Sequence, residues 1–180
     1  MPINPVSLHE KYATSAEALR IVLSHCQAVT DKALRIAQKF PEVDVDFIYE
    51  AAMLHDIGVY FVQAPKIFCF GEQPYLAHII IGSHILQKEG LPKHAKVAET
   101  HTGVGITKED VISKKLPIPA KNYIPTTLEE KIISYADLFF SKSNIDNLYQ
   151  ETSFEDVESE LIKHGQEKLI IFAEWQKMFE

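Results

Sequence analysis

Ala51-Ala52-Met53-Leu54-His55-Asp56-Ile57-Gly58 is the stretch on which the reading turns. Four apolar residues run into an adjacent histidine and aspartate, an isoleucine continues the apolar character, and a glycine follows. Side chains at the end of such a run enter a core. A buried carboxylate beside an imidazole is costly unless something compensates. A divalent cation compensates well, because neutral imidazole and ionised carboxylate are its ordinary ligands. On spacing alone, a capping aspartate with a hydrogen-bonded histidine at a helix C-terminus accounts for the pair equally well.

Outward from this stretch, helical periodicity dominates. Ser15 is placed to cap a long helix over residues 16–38, with Leu19, Val22, Leu23, Cys26, Val29, Ala33, Ile36 and Ala37 as its apolar stripe. Pro41 marks the break. Asp44 caps a second helix through Phe47, Ala51 and Leu54 to His55, and Gly58 stops it in the left-handed conformation glycine tolerates. Residues 59–71 are aromatic and irregular and read as a lid or a packed loop. A third helix begins at Pro74 and ends at Gly90-Leu91-Pro92, and a fourth covers 93–100. His101-Thr102-Gly103-Val104-Gly105-Ile106 reads as a turn. Thr107 and Asp110 make a capping-box start for a short helix. Pro117, Pro119 and Pro125 demand an extended linker over 116–126. Thr127 opens a helix through Ile132, Ile133, Ala136 and Phe140, and a last helix runs over 154–178. Strand signals are weak and no repeat appears. The fold class is all-α, a helical bundle, read as one domain over 1–180 with its core at 16–141 and the C-terminal helix packed on it.

The 180 residues suffice for a proper core, and 46% hydrophobic with 24% charged residues is ordinary for a globular chain. A net charge of -7 argues against duplex nucleic acid as a partner, since that wants a basic stripe. It leaves room for a small phosphorylated ligand, because a bound metal supplies local positive charge. Cys26 and Cys69 stand far apart and read as buried fillers in a reducing compartment. The start Met1-Pro2-Ile3-Asn4-Pro5 lacks a charged leader and an apolar core, and no apolar run approaches the ~20 residues of a membrane span. The expectation is a cytoplasmic protein with no membrane partner. Its oligomeric state is open, a homo-oligomer included.

Other polar residues share the anomaly of His55-Asp56. Asp137 lies within Ile132-Ile133-Ser134-Tyr135-Ala136-Asp137-Leu138-Phe139-Phe140. His25 is flanked by Leu23 and Cys26, and His78 precedes Ile79-Ile80-Ile81. His101 opens a glycine-containing turn able to re-aim its ring. Such residues, drawn from several helices, can converge in a bundle interior. His84 is a rival to His78 but faces elsewhere on its helix. His9, His94 and His164 lack apolar context and read as surface residues. Phe61, Phe68, Phe70 and Tyr75 read as packing, as do Phe172, Trp175 and Phe179.

Leu54-His55-Asp56-Ile57-Gly58 resembles the signature of the HD-domain superfamily in its HDIG form. His25, then His55-Asp56, then Asp137 resembles the family's ordered H…HD…D pattern. The resemblance spans about residues 19–140. It implies an all-α HD-domain bundle with a metal site in its interior. It also implies a metal-dependent phosphohydrolase acting on a small phosphorylated metabolite or nucleotide. His25, His55, Asp56 and Asp137 would hold one metal. His78, in a segment resembling the family's H-x-x-x-G, and His101 would add a second, with Asp56 bridging. Iron, manganese, magnesium, nickel and zinc are not distinguished. A metal-bound water would attack phosphorus, with Asp56 orienting or deprotonating it. Arg20, Lys108 and Lys66 are candidates for the phosphate pocket. The same ligands also serve di-iron oxygenases similar to inositol oxygenase, and a non-catalytic regulatory HD module is a further reading. Val59 follows the HDIG string where cyclic-dinucleotide members carry lysine, and no GYP triplet occurs, so that activity is not expected.

Overall fold

Side-chain caps set the main boundaries of the computed structural model, which describes residues 3–142 and 145–180. Ser15 accepts the Ala18 N–H at 3.0 Å and opens α2, Ala16–Ala37. Ahead of it stands α1, Pro5–Tyr12, capped by Asn4 and not anticipated from the sequence. Asp44 accepts from the Phe47 N–H at 3.0 Å to open α3, Val45–Leu54. A 3-10 turn over Ile57–Phe61 leads into a small antiparallel ribbon of β1, Gln63–Ala64, and β2, Cys69–Phe70. Another such turn, Tyr75–Ala77, runs into α4, His78–Lys88, followed by α5, Pro92–Thr100. The expected reciprocal pair of Thr107 and Asp110 starts α6, Lys108–Ser113. Thr127 starts α7, Leu128–Asp137.

The single helix expected over 154–178 is instead two: α8, Phe154–Leu161, and α9, Gln166–Phe179. Gly165 breaks it at φ 137°, a conformation that side chains rarely adopt. A Cβ there would lie 2.2 Å from the Glu167 carboxylate. The all-α class stands, and among the described residues no helix is long and apolar enough to cross a membrane.

Two large clusters of buried side chains, with a smaller one of Ile79, Val111, Ile118 and Tyr123, make the core. The C-terminal half of α2, with Val29, Ala33 and Ile36, packs with Ile48 and Ala51 of α3, Ile132 and Tyr135 of α7, and Phe172 and Phe179 of α9. The N-terminal half, with Ile21, Val22 and Cys26, packs with Met53, Leu54, Ile57, Tyr60, Leu86 and Ala98. His25 sits where α2 passes from one cluster to the other. Two histidines expected at the surface are buried. His9 bridges the Met53 carbonyl at 2.7 Å and the Tyr60 hydroxyl at 2.8 Å, and His94 lies 3.1 Å from the Glu50 carboxylate. Their apolar surroundings come from distant elements, which local sequence does not display. His164 is exposed, as expected.

Gly58 does not take up a left-handed conformation, since its φ is not positive. Its role is close approach. A Cβ on Gly58 would lie 2.1 Å from the His78 carbonyl oxygen and 2.5 Å from the Gly82 nitrogen. The backbone after His55-Asp56 therefore lies directly against the first turns of α4, and this contact brings His78 to Asp56. Gly58→Ala is expected to cost about 3 kcal/mol of stability in denaturant titration, the upper range for overpacking, because only backbone can give way.

Asp110 ties α6 to α9. Its carboxylate lies 2.7 Å from the buried Lys168 ammonium, which also donates to the Gly105 carbonyl at 2.9 Å, and it pairs with Lys114. Burial pushes the Asp110 carboxyl up, but Lys114, Lys168 and Thr107 hold it well below the ordinary carboxylate range. A depressed folded-state pKa gives stability that is present above the unfolded value of about 4 and lost as pH falls below it. Asp110→Asn should lose about 3 kcal/mol at neutral pH, and its stability gap to the unaltered protein should narrow below about pH 3.

Candidate metal centre

His55 follows the last residue of α3 in helical conformation, and Asp56 then leaves the helix at φ -102°, ψ 11°. The change turns both side chains into the junction of the two core clusters, where both are fully buried. Three histidines are anchored by one device. The Nδ1 of His55 lies 2.6 Å from the Ala52 carbonyl, that of His78 2.7 Å from Tyr75, and that of His101 3.0 Å from Ala98. A carbonyl can only accept, so each Nδ1 carries a proton and each Nε2 is the ring atom turned inward. Burial lowers His55, but the carboxylates of Asp56 and Asp137 hold it well above its ordinary value. All three stand at helix ends, where a carbonyl three residues back is within reach. His101 stays helical, so its ring is aimed by α5 and not by the glycines after it. His25 lies mid-helix, and its Nδ1 has no partner among the described residues.

Asp56 faces both ways. Its Oδ2 lies 3.2 Å from His25 Nε2 and 3.3 Å from His55 Nε2. Its Oδ1 lies 3.5 Å from His78 Nε2 and 3.6 Å from His101 Nε2. Asp137, at the end of α7, places Oδ1 3.0 Å from His25 Nε2 and 3.4 Å from His55 Nε2. Two groups of potential ligands stand out, His25 with His55 and Asp137, and Asp56 with His78 and His101, and a third joins Cys26 to His55 and Asp56. Ligands about 2.1 Å from a common ion stand about 3.0 to 3.4 Å apart across octahedral or tetrahedral edges. The observed separations, 3.0 to 3.6 Å, are of that kind.

The polar atoms here fit a divalent cation on their own account. Among the described residues, His55 Nε2, Asp56 Oδ1 and Asp137 Oδ1 are buried without a hydrogen-bond partner, an expensive condition for polar groups. The Nε2 atoms of His78 and His101 are 3.3 Å apart, each with its lone pair toward the other. No proton relieves them. Burial first, and then His55, press His101 down to about 3, and burial lowers His78. The carboxylates stay ionised: burial pushes Asp56 up, but Lys142 and His55 hold it well below its ordinary value, and His25 and His55 do the same for Asp137.

The structure thus brings His25, His55, Asp56, His78, His101 and Asp137 together. It does not bring Arg20 or Lys108 to them. Arg20 is exposed on α2, and Lys108 is exposed at the start of α6, with its backbone N–H on Asn122. Long cationic side chains on helix faces turn to water unless a partner holds them. His84 is exposed too.

Sequence reasoning missed three neighbours. Cys26, expected as a filler, offers its thiol within 4.8 Å of ligand atoms of His55 and Asp56. Burial pushes that thiol up, but His55 brings it down to about 6. Tyr75 holds His78 through its carbonyl. Lys142 sets its ammonium on Asp56 Oδ2 and 3.2 Å from His25 Nε2. Its one signal is position, five residues beyond Asp137.

Comparison with known proteins places the chain in a family. It is 39% identical over 131 residues to the uncharacterized protein MJ0778 of Methanocaldococcus jannaschii, covering 69% of this chain and 70% of that protein. It is 31% identical over 150 residues to a tRNA (cytidine(56)-2'-O)-methyltransferase of Thermoplasma volcanium and 34% identical over 137 residues to one of Picrophilus torridus. Those alignments take in 79% and 76% of this chain but only 40% and 36% of the two methyltransferases. No solved structure matches. The family model described as HD domain matches residues 22–140, which run from the first turns of α2, ahead of His25, to just past Asp137, and the chain belongs to the HD-domain family.

Proposed function

We propose that this protein is a metal-dependent phosphohydrolase acting on a small phosphorylated metabolite or nucleotide, with a site for two divalent ions. The observation that carries the reading is Asp56, whose two oxygens face two separate pairs of histidines at 3.2 to 3.6 Å. His25, His55, Asp137 and Asp56 would hold one ion, and Asp56, His78 and His101 the other. Bound divalent ions supply Lewis acidity toward phosphoryl oxygens and a hydroxide near neutral pH. The chain's own groups do the rest. The Nδ1 anchors turn the Nε2 atoms of His55, His78 and His101 inward as ligand atoms. Asp56, ionised and facing both groups of ligands, would hold the ions and orient a water beside them. Lys142 supplies positive charge at the edge of the cluster.

The methyl transfer named for the two longer relatives is not extended to this chain, which spans under half of each. A net charge of -7 also suits a small anion held by metal better than a long polyanion.

Metal analysis of the purified protein should find divalent ions, and chelation should lower the melting temperature by about 5–10 °C, as expected for a ligand held at about 100 times its Kd. Asp56→Ala should abolish metal retention. Absence of metal, together with unchanged stability in Asp56→Ala, would overturn the reading. With a phosphomonoester and phosphodiester panel, Asp56→Asn should cut kcat/KM by about a thousandfold. Oxygen uptake by iron-loaded protein without phosphate release would point instead to an oxygenase.

A further inference from the structure

A cleft of about 550 Å³ opens between the segment around β1 and the chain just beyond α7, lined by residues that include Gln63, Pro65, Lys66, Tyr75, Phe140 and Lys142. Its volume is that of a small-molecule site. Among the described residues none that lines it is acidic, in a chain that carries 25 acidic residues against 18 basic ones. A second cleft, of about 670 Å³, differs in that its lysines, Lys93 and Lys96, are outnumbered by Asp44, Asp46, Glu50, Glu129 and Glu130.

The cleft is joined to the metal-ligand cluster at two points. Tyr75 lines it and holds His78 through its carbonyl. Lys142 lines it and sets its ammonium on Asp56 and 3.2 Å from His25 Nε2. The Lys142 side chain is only 12% exposed, so its charge is weakly screened. Its flexible four-carbon stem gives the ammonium reach between cluster and cleft. Lys66 stands exposed at the outer rim, a second cation on a separate element. Two lysines suit a dianionic head better than a monoanionic one. Half-exposed Tyr75 offers an aromatic face to whatever group the phosphate carries.

We propose that this cleft is the phosphoryl-binding site, that Lys142 and Lys66 receive the dianionic head of a phosphomonoester of about mononucleotide size, and that Lys142 sets it against the Asp56-centred cluster. The assignment rests on the hydrolase reading above and narrows it, from phosphorylated compounds in general to monoesters over diesters.

The test compares the manganese-loaded protein with Lys142→Gln, Lys142→Arg and Lys66→Gln, and with Lys177→Gln on the far surface as control. Titration calorimetry with inorganic phosphate reads the site directly. Steady-state rates on 4-nitrophenyl phosphate and bis(4-nitrophenyl) phosphate read its use. Manganese content and melting temperature show that each variant is folded and loaded. Lys142→Gln should weaken phosphate binding about tenfold and raise KM for the monoester similarly, with a smaller effect on the diester. Lys142→Arg should restore most of the affinity, and Lys66→Gln should weaken it about threefold. The proposal is overturned if wild-type protein does not bind phosphate, if Lys142→Gln binds it as tightly as wild type, or if both esters respond alike. Should Lys142→Gln not fold, Lys66→Gln matching Lys177→Gln overturns it. Phosphate binding without turnover of either ester would sink the hydrolase reading and leave the binding site standing.

Discussion

A carboxylate buried among four imidazoles is the constraint on which the rest of this structure depends. Asp56 has no exposure to water, and each of its oxygens faces two histidine nitrogens. Such a group is tolerated in a core only if its charge is answered and its lone pairs are used. The surroundings are arranged to that end. α2 and α7 bring His25 and Asp137 from one side, α4 and α5 bring His78 and His101 from the other, and Lys142 adds a cation from the loop beyond α7. The apolar clusters on either side fix the positions of these helices, and the glycine contact between Gly58 and Gly82 sets how closely α4 approaches. Polar site and core are two sides of one packing solution.

Much of this was legible in the sequence, for identifiable reasons. His25, His55-Asp56 and Asp137 declare themselves because a polar residue inside an apolar helical stripe contradicts its neighbours. The caps at Ser15, Asp44, Thr107 and Thr127 are local hydrogen bonds, and local sequence specifies them. His78 and His101 carry weaker local signals, an isoleucine run after one and a glycine-containing turn after the other, and likeness to a known pattern assigns them as ligands.

What escaped was tertiary. Lys142 lies in a loop without periodicity, and nothing nearby distinguishes it from a solvated lysine. Arg20 and Lys108 are equally eligible in sequence and stand exposed on α2 and α6. His9 and His94 owe their burial to Met53, Tyr60 and Glu50, residues more than forty positions away. Gly58 was read for its own torsions when its significance is the Gly82 backbone opposite. At Gly165, one residue outweighed an apolar pattern that continues on both sides.

The carbonyl anchors on His55, His78 and His101 carry a thermodynamic consequence. A histidine free to rotate must be immobilised when it binds a ligand, and the lost entropy is subtracted from affinity. Here three rings are held by the ends of α3, α4 and α5, so that loss is incurred once, during folding. The cluster is preorganised to the extent that those helix ends are, and local fraying there reaches the site directly. His25 lacks such an anchor, and its orientation depends on Asp56 and Asp137. The six ligands therefore differ in kind: three are fixed by the backbone, and three are fixed by one another.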